Sequence, residues 1–171
     1  MLIILQVVGY KNSGKTRLSS YFIREGTAEG FKVGSIKHHA HGTPDIIEET
    51  DSAKHMKSGA EIAGVYGGGR LDLSIMNEEF SIARLAECYE KMGINLLIIE
   101  GFKQESYPKV VLLREDNDLQ ILQDVKNVVA VVCNNGCDTI TNAQWPSFQS
   151  SDLKNISLWY ATFLKSPPSV K

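Results

Sequence analysis

Gly9-Tyr10-Lys11-Asn12-Ser13-Gly14-Lys15-Thr16 has the form G-x-x-x-x-G-K-[ST], a spacing that suits a phosphate cradle. Glycines let the backbone curl until several N–H groups face inward. A helix starting at the second glycine adds the positive end of its dipole. The Lys15 ammonium can then bridge the β- and γ-phosphates, and the Thr16 hydroxyl can ligate Mg²⁺. The pattern also has the context it needs, since an apolar stretch precedes it and a helical stretch follows. Gly9, Lys11, Asn12, Ser13 and Arg17 complete the expected phosphate-binding group. Lys11 either meets a phosphate, in its own chain or across a dimer, or stays solvated.

A loop of this kind calls for a carboxylate at the end of another buried strand, to serve the metal directly or through water. Glu100 directly follows Leu96-Leu97-Ile98-Ile99, which places it at the carboxyl edge of a strand, where open α/β sheets bind ligands. Asp51 is the second candidate. It lies at the start of a helix, where an N-cap role would explain it without any metal. Lys37-His38-His39-Ala40-His41 follows another strand. Its histidines are structural, contact an anion, or ligate a metal. Gly67-Gly68-Gly69-Arg70 reads as a turn rather than a second cradle, because no Lys-Ser/Thr follows it.

The elements that must position these groups are legible in the apolar pattern. Residues 2–8, 31–36, 94–99, 110–113 and 128–132 are short Val/Ile/Leu-rich runs that suit strands buried on both faces. Residues 15–29, 50–60 and 78–92 have helical character, and 151–164 form a short terminal helix. Residues 62–66 and 71–75 flank the glycine run as a hairpin. The expected fold is α/β, a P-loop NTPase-type mostly parallel sheet flanked by helices, with an added β-hairpin.

Composition bounds the partners. The chain has 171 residues with 18 Lys+Arg against 20 Asp+Glu, a formal charge of -2. That length fits one nucleotide-binding domain covering 1–171. The balance gives no reason to expect nucleic acid or an anionic membrane. Three cysteines, Cys88, Cys133 and Cys137, do not make a disulfide framework, so free thiols in a reducing cytoplasm are expected. The apolar stretch 1–8 has no basic region or cleavage site, so it is not read as a signal peptide. No apolar run approaches the roughly 18 residues of a membrane span.

These residues resemble the MobB family of molybdopterin guanine dinucleotide cofactor biosynthesis. The resemblance runs from the loop to about Val132 and rests on four segments. They are residues 9–16, then Ile36-Lys37-His38 with His41, then Asp51-Ser52 with Ser58-Gly59-Ala60, then residues 97–103 with Pro108-Lys109-Val110. Glu100-Gly101-Phe102-Lys103 is the most specific. The resemblance implies a GTP-binding P-loop fold with weak hydrolysis and a homodimer. It also implies cooperation with a MobA-type nucleotidyltransferase that joins GMP to molybdopterin. By that likeness Gly14, Lys15 and Thr16 hold phosphates and Mg²⁺. Asp51 and Glu100 serve the metal or the attacking water, making Lys15, Glu100 and Asp51 the expected catalytic group. His38, His41 and Lys103 line the same mouth. Guanine preference comes from the resemblance, since no Asn-Lys-x-Asp signature is present. Asn134, Asn135 and Asp138 are positional candidates for the base because they follow a strand at the ligand edge.

Three functional readings follow. The first is an adaptor GTPase in cofactor maturation. The second is a P-loop small-molecule kinase that transfers the γ-phosphoryl group itself, which usually needs an arginine-rich lid. The third is a non-catalytic module that holds nucleotide as a structural ligand.

Overall fold

The structure is a computed structural model that describes residues 1–39, 50–76, 80–134 and 144–168. In chain order its elements are β1 (Ile3–Gly9), α1 (Lys15–Ala28), β2 (Val33–Lys37), α2 (Asp51–Lys57), β3 (Ile62–Gly67) and β4 (Arg70–Ile75). They continue with α3 (Ile82–Lys91), β5 (Leu96–Glu100), β6 (Lys109–Leu113), a 3-10 turn at Asp116–Gln120, α4 (Ile121–Asp124), β7 (Val128–Cys133), β8 (Ser147–Gln149) and α5 (Leu153–Lys165). The chain divides into two compact units, Met1–His38 with Ala86–Lys171, and His39–Leu85.

In the first unit six strands form one sheet in the order β2-β5-β1-β6-β7-β8. Every recorded pairing within it is parallel. All carboxyl ends therefore lie at one edge. The apolar runs become central strands because both faces are covered. On one face Leu5, Val7, Leu96, Ile98 and Val110 pack with Leu18, Tyr21 and Phe22 of α1 and with Ile156, Tyr160 and Phe163 of α5. The Phe22 and Tyr160 rings lie 4.6 Å apart, and the Tyr160 hydroxyl donates to the Phe22 carbonyl at 3.1 Å. On the other face Val8, Val111, Leu113 and Val131 pack with Ile121 of α4.

The second unit holds α2 and the hairpin. Thr50, rather than Asp51, caps α2, its side chain accepting from the Ala53 N–H. β3 and β4 are antiparallel, with Gly67 opposite Arg70. Gly68 and Gly69 between them have φ of 58° and 80°, the positive pair that a two-residue hairpin turn requires. Ile62, Val65, Tyr66, Leu71 and Leu73 on the hairpin are exposed.

The five apolar runs, the hairpin and the helices appear where the pattern puts them. The expected helix over 78–92 begins at Ile82, and residues 77–79 lie outside the described residues. β8, α4 and the 3-10 turn have no counterpart in the sequence reading. β8 has three residues, Ser147-Phe148-Gln149, too few to show a period, and it forms because β7 offers an edge. Free thiols hold for Cys88, but Cys133 is disulfide-bonded. The reason for the correction is that a chain-wide cysteine count does not register a local pairing. No helix among the described residues is long and apolar enough to cross a membrane.

An ion pair between the exposed Arg114 and the buried Asp118 ties the end of β6 to the 3-10 turn. The Asp118 residue is 2% exposed. It accepts the Arg114 backbone N–H at 2.9 Å and the guanidinium at 2.8 and 2.7 Å. The Arg114 hydrogen bonds hold the Asp118 carboxyl below its ordinary 3.8. A carboxylate with a lowered folded pKa stabilises the fold above its unfolded pKa, and loses that effect as pH falls through the folded value. Asp118→Asn should therefore cost about 1.5–3 kcal/mol near neutral pH, and the deficit should shrink as pH falls below the ordinary carboxylate range. Urea unfolding of both proteins across that range checks the sign. A second expectation concerns Gly9. A Cβ there would lie 2.6 Å from the Leu112 carbonyl oxygen and 2.7 Å from Ser13 Oγ. Gly9→Ala should lower the urea midpoint by the equivalent of about 1–3 kcal/mol without nucleotide.

Candidate functional site

The loop between β1 and α1 is built from the strand end outward. Asn12 has φ 61° and Gly14 φ 96°, so the chain turns back on itself before the helix begins at Lys15. The Ser13 N–H donates to the Tyr10 carbonyl at 3.3 Å, which closes the turn. The Lys15 ammonium reaches back across it to the same carbonyl, at 2.7 Å. Ser13 is buried, and its Oγ has no hydrogen-bond partner among the described residues.

Register brings the carboxylate to the loop. Glu100 pairs with Val7 of β1 on one side and Lys37 of β2 on the other. It is 8% exposed. The Thr16 hydroxyl donates to Glu100 Oε1 at 2.9 Å. The Lys37 ammonium donates to Thr16 Oγ1 at 3.1 Å and stands 3.3 Å from Glu100 Oε1. A hydroxyl, a carboxylate and an ammonium thus share one corner beneath the start of α1.

The electrostatics of that corner are lopsided toward cations. Burial pulls the Lys15 ammonium below its ordinary 10.5, and the positive charges of Lys103, Lys37 and Arg114 pull it the same way. The Glu100 carboxylate acts the other way and raises it. Lys103 Nζ lies 4.4 Å from the Tyr10 ring centre, and the Arg114 guanidinium lies 5.9 Å from it. An aromatic face can hold a cation without neutralising it. Arg114 is paired with Asp118 and Lys37 with Glu100, so Lys15, bonded to a neutral carbonyl, and Lys103, over the Tyr10 ring, are the cations best placed to meet an anion.

A cavity of about 620 Å³ opens on the α1 side of the loop. Asn12, Gly14, Arg17, Tyr21, Asn134 and Ser150 are among its lining residues. Asn134 Nδ2 donates to the Ser13 carbonyl at 2.8 Å, which ties the end of β7 to the loop.

The expected residues are sorted by this geometry. Gly9, Asn12, Ser13, Gly14, Lys15, Thr16, Glu100 and Lys103 gather at the carboxyl edge of the sheet. Lys11 and Arg17 are exposed residues of the same loop and first helical turn. His38 donates its backbone N–H to the Glu100 carbonyl at 2.8 Å, and its ring lies 4.4 Å from that of Phe102. Asp51 belongs to the second unit, where it is exposed and pairs with Lys54 at 2.8 Å. His41, Asn135 and Asp138 lie outside the described residues. The sequence places Lys37 in a patch at this edge, and the structure brings it there. Sequence reasoning missed the parts played by Tyr10 and Arg114, although Arg114 did carry a signal, being a cation where a strand ends at the ligand edge.

The donors suit a hard divalent cation. Thr16 and Glu100 offer oxygen, and Mg²⁺ takes few protein ligands beside water and phosphate. Among the described residues no group of three or more His, Cys, Asp or Glu could hold a metal, so a transition-metal cage is not formed by them.

Comparison with known proteins agrees with this architecture. The family model for MobB, molybdopterin guanine dinucleotide synthesis protein B, matches residues 4–134. A probable molybdopterin-guanine dinucleotide biosynthesis adapter protein from Bacillus subtilis is 36% identical over 151 residues, 87% of this chain and 86% of the relative. The adapter protein of Haemophilus influenzae is 31% identical, over 77% of this chain and 74% of its own. The crystal structure of Bacillus subtilis MobB superposes with a TM-score of 0.77 at 31% identity, covering 94% of this chain and 97% of that one. With the strand-loop-helix, the parallel sheet and these matches in agreement, the chain belongs to the MobB family of molybdopterin-guanine dinucleotide biosynthesis adapter proteins.

Proposed function

We propose that this chain binds GTP with Mg²⁺ on residues 9–16 and hydrolyses it slowly. In this reading it acts in the cytoplasm as an adaptor beside a MobA-type nucleotidyltransferase that joins GMP to molybdopterin. The observation that carries the reading is the cationic corner around the loop. Lys37, Lys103 and Arg114 all act on Lys15 there; Glu100 and Asp118 offset two of these charges, and a triphosphate would offset the rest. Loop N–H groups and the start of α1 would take phosphate oxygens. Lys15 would exchange its bond to the Tyr10 carbonyl for phosphate.

Thr16 and Glu100 are the residues that would hold Mg²⁺. The bound metal would neutralise phosphate charge. Glu100, which accepts from Thr16 and lies beside Lys37, would orient the attacking water. Arg17 and Asn134 border the cavity that would receive the nucleoside, and His38 and Lys103 would line the mouth. Both units are read as parts of one nucleotide-binding domain spanning 1–171. The exposed apolar side chains of β3 and β4 support a homodimer, because a second copy would cover them. Molybdopterin is the other ligand this role would bring to the mouth.

Titration with GTP and ATP in Mg²⁺ tests the nucleotide, and ATP binding as tight as GTP binding would overturn the guanine assignment. Lys15→Ala should weaken GTP by about 10- to 100-fold, as expected for losing charge-assisted bonds to phosphate, while thermal stability without nucleotide stays near wild type. Slow phosphate release that persists unchanged in Lys15→Ala would place hydrolysis elsewhere. Because the Lys15 ammonium is held below 10.5, wild-type affinity should decline with rising pH sooner than an ordinary lysine would cause, and the Lys15→Ala profile should lack that decline. Glu100→Gln should reduce Mg²⁺-dependent turnover by roughly tenfold or more with a smaller effect on binding. Equal turnover would remove Glu100 from the reaction.

A further inference from the structure

The connection from β5 to β6 has to pass β1, because the local strand order is β5-β1-β6. Parallel crossovers of this kind are usually helical, so that the connection satisfies its own backbone. Residues 101–108 contain no helix. Their carbonyls need donors from elsewhere.

Two buried side chains reach four of these carbonyls, and the Phe102 carbonyl also takes the Glu105 N–H of the connection itself at 3.0 Å. Gln6 Nε2 donates to the Gly101 carbonyl at 3.0 Å and to the Phe102 carbonyl at 2.9 Å. The Lys109 ammonium donates to the Glu105 carbonyl and, at 3.0 Å, to the Tyr107 carbonyl. Both residues are 0% exposed. They are also direct neighbours, Gln6 on β1 pairing with Lys109 on β6. Asn127 Nδ2 takes the Ser106 carbonyl, and the Gln6 backbone N–H takes that of Pro108 at 2.8 Å.

What this bracing holds is the backbone next to Glu100. Gly101 has φ 93° and Phe102 φ 53°. Two successive left-handed residues, one of them aromatic, persist only where the surroundings enforce them. Gln6 binds the carbonyls of both. The next residue is Lys103, whose ammonium sits over Tyr10 of the loop. Burial lowers the Lys109 ammonium to about 8, against the pull of Glu105, so the group is still charged at neutral pH. A fully buried cation is expensive to keep, and an apolar residue of similar length would pack there without donating anything.

We propose that Gln6 and Lys109 are positioning residues for the nucleotide site, acting through the backbone of residues 101–107 to hold Glu100, Phe102 and Lys103 against the loop. The binding arm of the test rests on the GTP reading above, whereas the exchange arm does not.

Lys109→Met keeps the length and removes the donors. Gln6→Met is the milder companion. Amide hydrogen exchange on the full chain without nucleotide should quicken roughly tenfold or more across 101–107 in both variants, with α1 and β1 unchanged. If Lys109→Met exchanges faster everywhere, it has lost its fold, and Gln6→Met decides. Unchanged exchange over 101–107 in a folded variant overturns the proposal. Affinity for Mg²⁺-GTP then separates positioning from general stability. Lys109→Met, Lys103→Ala and the double variant form a cycle in which the double should be little weaker than Lys109→Met alone. Additive losses would mean that Lys109 does not act through Lys103, and would overturn that part of the assignment. Should wild type bind no GTP, the functional reading fails while the exchange result still decides the bracing.

Discussion

Glu100 ends a strand that is buried along its whole length, and a carboxylate in that place must find donors or give up its charge. Thr16 and Lys37 are the donors. The arrangement binds three elements at once, because Thr16 opens α1, Lys37 closes β2 and Glu100 closes β5. It also sets where the loop lies, since Lys15 is the residue before Thr16. If the hydroxyl of Thr16 pointed elsewhere, the helix would start at a different angle and the ammonium of Lys15 would leave the loop.

The parallel sheet makes this meeting possible. Its strands all end at the same edge, and the order β2-β5-β1-β6-β7 lays the tips of five strands side by side. Lys37, Glu100, Gly9, Arg114 and Asn134 are the residues found at or just beyond those tips. The resulting field is mainly positive, although the chain as a whole carries a formal charge of -2. Net charge says nothing about a few cations gathered within one corner.

A cost of the order β5-β1-β6 is the connection that must pass β1. Without a helix there, its carbonyls depend on Gln6, Lys109 and Asn127. The interior of the sheet therefore contains a glutamine and a lysine where an alternation of valine and leucine would otherwise continue. Gln6 Oε1 is left without a partner among the described residues, a sign that the amide is oriented for its donor side.

The loop, its flanking strand and helix, and Glu100 were legible in sequence because each depends on local pattern. G-x-x-x-x-G-K-T needs only its own backbone and the helix after it, and an acidic residue after four apolar ones marks a strand end. The hairpin was legible for the same reason, through glycines between apolar runs. Lys37 was legible as a cation at the loop's edge, but Tyr10 and Arg114 were not legible as neighbours, because their closeness follows from strand order, which no local period encodes. β8 was hidden by its length, and Cys133 by a pairing that composition does not report. Gln6 and Lys109 are the clearest case. In sequence they are a glutamine in an apolar run and a lysine after a proline, 103 positions apart. Sequence alone determined which residues can carry phosphate chemistry, since that chemistry depends on residue type and short spacing. Tertiary structure alone decided which charges meet, because parallel register places side by side residues that are distant along the chain.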